Sequence, residues 1–96
     1  MKVHETVYST VVTFESAVDA EMATKLKGIL ADINDPINGR LVMDMKASSY
    51  ISADGVCVLL NNHARNNKSY KLEFRNVSKD VRRLLDTAGL GNLIAF

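Results

Sequence analysis

Between Leu41 and Leu60 the chain reads LVMDMKASSYISADGVCVLL, and this stretch limits the fold more tightly than any other. Leu41 to Met45 is nearly continuous apolar sequence of strand length, a pattern that suits a strand covered on both faces of a parallel sheet. A short polar connection follows. Ser52-Ala53-Asp54-Gly55 then opens a helix, and Val56 to Leu60 drive a block of apolar side chains inward. A strand ending at a carboxylate and leading to a helix N-terminus is a common location for the business end of an α/β protein.

The flanking sequence reads as scaffold for this turn. Residues 5–14, ETVYSTVVTF, are rich in β-branched and aromatic types and predict either one long strand or a bent pair. Ser16 to Asp19 matches a helix start, with Asp19 as an alternative cap. Met22, Leu26, Ile29, Leu30 and Ile33 then mark one face of an amphipathic helix. Pro36 stops it by pushing the preceding residue out of the helical region, and Asn38-Gly39 completes a turn. The central helix is expected from about Ser52 to Asn66, with Val56, Leu59, Leu60 and His63 on its core stripe. Tyr70, Leu72 and Phe74 alternate with Lys71, Glu73 and Arg75, which predicts a half-buried strand. Ser78 caps a third helix whose apolar spacing runs through Val77, Val81, Leu84, Leu85 and Ala88. Gly89 ends that helix, and Leu93 to Phe96 are expected to add a last short strand. Strands alternating with helices predict one α/β domain over residues 1–96, with a mainly parallel sheet and right-handed crossovers.

Composition removes several function classes. Twelve basic against eleven acidic residues give no basic excess of the kind a nucleic-acid binder carries. A single cysteine, Cys57, rules out an internal disulfide. No apolar run reaches signal-peptide or membrane-spanning length, so no direct membrane insertion and a cytoplasmic location are expected. No phosphate-cradling glycine loop or P-loop lysine is present, and no cofactor is implied. His4, in an expected frayed terminus, and His63, on a core stripe, build no catalytic arrangement with Ser and Asp. The residues predict no enzyme.

The order of elements and the central turn together resemble the STAS domain family, which includes bacterial anti-sigma-factor antagonists. In that family an apolar strand ends in Asp, and an aromatic or aliphatic pair precedes Asp-Ser-Ser-Gly or Asp-Ser-Thr-Gly at the start of a helix. Here Asp44 matches the strand-end Asp, Tyr50-Ile51 the pair, Gly55 the glycine, and Val56 to Leu60 the start of the helix. Leu72 to Ser78, with Val81, Leu84-Leu85 and Gly89-Leu90, fit the C-terminal half. The resemblance implies a mixed, mainly parallel sheet of four to five strands with about three to four helices. It further implies a regulatory module whose partner is an anti-sigma factor of the kinase-like ATPase type; a homodimer is also open. Other members serve as structural or ligand-sensing pieces of transporter-associated or multi-STAS assemblies.

One departure from the family pattern matters more than the matches. The residue before the glycine is ordinarily a Ser or Thr that the partner kinase phosphorylates, and here it is Asp54, with Ala53 and Ser52 before it. Asp54 has no hydroxyl to modify. It is read either as a first-turn carboxylate favoured by the helix dipole or as a partial stand-in for phosphoserine. Ser52 is expected to be the N-cap, and Ser48, Ser49 and Ser52 are the neighbouring hydroxyls open to a displaced modification. Gly55 is read as marking close approach by a neighbouring backbone or a partner, or as tolerated near a helix end. The expected contact surface comprises Ser49, Tyr50, Ser52, Ala53, Asp54, Gly55, Val58 and Asn62, with Asp44 in support. Asp44 and Asp54 as a metal-binding pair lack the further oxygen ligands a divalent cation needs, and no metal site is expected. Cys57 reads as a small packed hydrophobe, and Arg82-Arg83 as a solvated face.

Overall fold

In a computed structural model, which describes residues 1–66 and 69–94, four strands form one mixed sheet in the order β1-β2-β3-β4. The strands are β1 (Lys2–Glu5), β2 (Thr10–Thr13), β3 (Arg40–Asp44) and β4 (Lys71–Arg75). The first pair is antiparallel and the other two are parallel. Helix α1 (Ala20–Asp32) links β2 to β3, α2 (Ala53–Asn66) links β3 to β4, and α3 (Lys79–Thr87) follows β4. This is the expected α/β fold, with a different beginning and end.

The stretch 5–14 is a bent pair whose first strand starts earlier, at Lys2. Thr6 organises the turn: its Oγ1 accepts from the Tyr8 and Ser9 amides at 3.1 and 3.0 Å. His4 is therefore not in a frayed end, because it pairs with Val11 in the ladder. At the other end, Gly91–Leu93 forms a 3-10 turn and Ile94 makes one parallel bridge to Phe74. The remainder of the expected last strand, residues 95–96, lies outside the described residues.

Both parallel crossovers step the same way across the sheet. Right-handed connections then place α1 and α2 on the same face. One apolar cluster fills that side, with Val12, Leu41, Met43, Leu72 and Phe74 from the strands and Leu26, Leu30, Leu59, Val81 and Leu85 from the helices. The centre of β3 is buried on the opposite face as well, as expected of a strand covered on both sides. Val42 on that face is 2 % exposed and lies outside the main cluster. Its ladder partners are Val11 and Glu73, and Arg40 and Arg75 both reach Glu73, at 3.5 and 2.9 Å. Val42 is the apolar residue that β3 turns to this face, between Arg40 and Asp44.

Candidate functional site

The carboxyl ends of β2 and β3 lead into the first turns of α1 and α2, and a single parallel bridge between Val18 and Ile51 ties these turns together. The Val18 amide donates to the Tyr50 carbonyl at 2.8 Å, and the Ser52 amide donates to the Val18 carbonyl at 2.7 Å. Two helix N-termini thus sit side by side. Asp19, rather than Ser16, caps α1, its carboxylate accepting from the Met22 amide at 2.8 Å. Ser52 caps α2, its Oγ accepting from the Gly55 amide at 3.2 Å. That use of its oxygen and its half-buried position account for Ser52 as a capping residue.

Gly55 is required by space. A Cβ there would lie 2.8 Å from Ile51 Cγ1 and 3.0 Å from Val18 Cγ1. The close approach comes from two core side chains of the bridge, neither a neighbouring backbone nor a partner. Without a Cβ at this point, the start of α2 settles onto the bridge and presents its outer side to solvent.

The outer side consists of Ser49, Tyr50, Ala53 and Asp54, all exposed, with half-buried Val58 one turn on. Tyr50 exposes 52 % of its surface. The Asp54 carboxylate makes no hydrogen bond or ion pair among the described residues. It borders a shallow hollow between α1 and α2 with Ala20, Ala23, Thr24, Lys27 and Val58. Ser48 is fully buried, its Oγ donating to the Tyr50 carbonyl at 3.1 Å, so it shapes the turn and offers no accessible hydroxyl.

Several expected assignments move once side chains are placed. Asn62 is 2 % exposed and does not belong to the outer surface. Its Oδ1 accepts from Tyr70 Oη and from Asn66 Nδ2, each at 3.1 Å. Its Nδ2 is buried with no partner among the described residues, an arrangement that costs on the order of 1–3 kcal/mol. The stripe through Leu59 continues at Asn62, leaving His63 half-buried beside it. Cys57 is exposed, not packed. Asp44 sits at the end of β3, where its Oδ1 accepts from the Lys46 amide at 3.1 Å and Asn76 Nδ2 at 3.0 Å. Its role is to join two connections at the top of the sheet. Among the described residues, no three His, Cys, Asp or Glu side chains gather in a way that could hold a metal ion.

A family model for the STAS domain matches residues 1–96. The chain belongs to the STAS domain family. Its fold is similar to that of the anti-sigma factor antagonist SpoIIAA in its unphosphorylated form, with a TM-score of 0.82 at 16% identity, over 98% of this chain and 84% of that one. It is also similar to a sulfate transporter family protein from Wolinella succinogenes, with a TM-score of 0.73 at 19% identity, covering 88% and 73% of the two chains. A third likeness is to the SulP transporter STAS domain from Vibrio cholerae, with a TM-score of 0.64 at 16% identity, covering 88% and 66%. No curated protein matches the chain in sequence. At these identities the structural likenesses speak to the fold, which hosts more than one role.

Proposed function

We propose that this STAS domain is a non-enzymatic regulatory module that binds another protein through the start of α2 and the turn before it. The supporting observation is the Asp54 carboxylate, exposed and without a partner among the described residues, flanked by exposed Tyr50 and Ala53. A first-turn carboxylate contributes about 0.3–1 kcal/mol to its helix, which does not call for the exposed tyrosine beside it. The partner is an anti-sigma factor of the kinase-like ATPase type, a reading supported by the likeness to SpoIIAA. Asp54 occupies the position of the family's phosphorylated hydroxyl, so this module is blind to phosphorylation there. A single carboxylate supplies less than the roughly −1.5 to −2 charge of a phosphate, so any mimicry is partial.

The test is affinity capture from the source cell, using wild type and Asp54→Ser, each with and without ATP. Both forms recover the ATPase, and ATP releases only the serine form. Release of both forms by ATP, or recovery of no ATPase by either, would defeat the proposal. Ala53→Arg, on an exposed position, abolishes capture while leaving the fold intact. The second reading, a structural subunit in a transporter-associated or multi-STAS assembly, is supported by the two transporter likenesses. Under that reading capture brings down transporter subunits and is indifferent to ATP.

A further inference from the structure

Further along the same two helices, beyond the hollow at Asp54, α1 and α2 diverge around a cleft of about 470 Å³. Its size falls in the range of small-molecule sites, roughly 300–1,000 Å³. Leu30 and Val58 supply apolar wall, Lys27 and Arg65 supply positive charge, and Cys57 and Asn62 also line it. Neither Lys27 nor Arg65 forms an ion pair or hydrogen bond among the described residues.

The deciding feature is Asn62. Its amide orientation is fixed by its neighbours. Asn66 Nδ2 donates at 3.1 Å to the Asn62 carbonyl and at the same distance to Asn62 Oδ1. Turning the Asn62 amide over would set two NH₂ groups against each other and leave Oδ1 without these donors. Nδ2 therefore stays on the side away from Asn66 and Tyr70, buried and unpartnered, in a residue that lines the cleft. Buried polar atoms are ordinarily satisfied. The bond from Tyr70 explains why an acceptor is needed at this position and leaves the donor unexplained. A larger hollow of about 760 Å³ along β4 lacks any such unpartnered buried donor among the described residues.

We propose that the α1–α2 cleft binds a small organic anion with an apolar body, its oxygen accepting a hydrogen bond from Asn62 Nδ2 and its charge held between Lys27 and Arg65. The apolar part lies against Leu30 and Val58. Because Nδ2 is covered, the oxygen reaches it only as side chains of the cleft wall shift, a motion that exposed side chains make readily. The inference does not depend on which protein engages Asp54.

The site is tested on the full chain, labelled with ¹⁵N, with hexanoate and hexyl phosphate as probes and hexanol and inorganic phosphate as controls. Both organic anions shift the Asn62 side-chain amide resonances and slow alkylation of Cys57, the only cysteine, in step with occupancy. Lys27→Ala and Arg65→Ala, both on exposed positions, each weaken binding about two- to fivefold, as expected for an exposed ion pair. Asn62→Asp retains the acceptor for Tyr70 but puts a carboxylate against the anion, and weakens binding by more than about tenfold. If that variant fails to fold, the double replacement of Lys27 and Arg65 by alanine decides, and unchanged affinity overturns the proposal. Equal binding of hexanol overturns it because charge is then irrelevant. Equal binding of inorganic phosphate overturns it because the apolar walls are then irrelevant. An Asn62 amide unmoved by saturating hexanoate and hexyl phosphate does the same.

Discussion

The first turns of α1 and α2 are near copies of one another and differ where it counts. Each follows a residue of the Val18–Ile51 bridge, and each is capped by a side-chain oxygen accepting from the amide three residues on. Each carries an exposed carboxylate two residues after its cap, Glu21 in α1 and Asp54 in α2. The residue after that carboxylate is Met22 in α1 and Gly55 in α2. Met22 packs its side chain against the core, whereas the missing Cβ of Gly55 lets the bridge side chains press against the helix. The comparison teaches that capping and helix-dipole effects are common to both turns. What remains special to α2 is its close seat on the bridge and the exposed Tyr50 beside it.

The largest expected effect tests that seat. Gly55→Ala drives a methyl into Ile51 and Val18 and should destabilise by about 1–3 kcal/mol, as overpacking does. Gly28→Ala, in α1 where a Cβ meets open space, should instead stabilise by roughly 0.5–1 kcal/mol. Denaturant midpoints with unchanged slopes would measure both, and matching signs would remove the distinction between the two helices. Next come the caps: Asp19→Ala and Ser52→Ala should each cost about 1 kcal/mol. A much larger loss at Ser52 would mean that its hydroxyl does more than cap.

The carboxylates sharpen the comparison further. Glu21→Gln and Asp54→Asn should lower stability alike, by about 0.3–1 kcal/mol. Glu21 serves as the internal control, since only Asp54→Asn should change partner binding in a pull-down titration. Equal effects on binding would reduce Asp54 to an ordinary first-turn carboxylate. The smallest effect lies in the loop before α1, at Glu15. The N-terminal ammonium 3.0 Å away holds its carboxyl below the ordinary value of 4.5, with Lys2 adding a weaker pull. A depressed carboxyl pKa stabilises the fold above the unfolded value, and the benefit is lost as pH falls through the folded one. Glu15→Gln should therefore flatten the acid side of the stability curve slightly and leave the neutral side almost unchanged in pH-dependent denaturation.

Much of this architecture was legible because local chemistry and tertiary contacts agree. Ser52, Asp54 and Gly55 announce a helix start, and Pro36 and Gly89 announce two helix ends. β1 was not legible: all four of its side chains are exposed, so no hydrophobic alternation marks it, and pairing with β2 makes the strand. β3 was legible, because the apolar run of Leu41, Val42 and Met43 marks a strand covered on both faces, and all three are buried. Asn62 was misplaced because a polar side chain on a helix suggests solvent. The available signal was its spacing of three from Leu59, which puts it on the buried stripe, with Tyr70 eight residues ahead as its partner. The candidate site was legible at its centre, around Asp54, and illegible where burial depends on a contact from another element.

The strand order has a consequence for how the molecule breathes. β3 is hydrogen-bonded on both sides, whereas β1 has one neighbour and no buried side chain. Local opening draws on regions with few buried apolar contacts. Amide protons of β1 should therefore exchange through small, frequent excursions, and those of Val42 and Met43 only when the whole domain comes apart. The bridge between Val18 and Ile51 joins two core residues, 0 % and 1 % exposed, so it should open no more readily than the core itself. The two helix starts are thus joined by a clasp that lets go only when the core does.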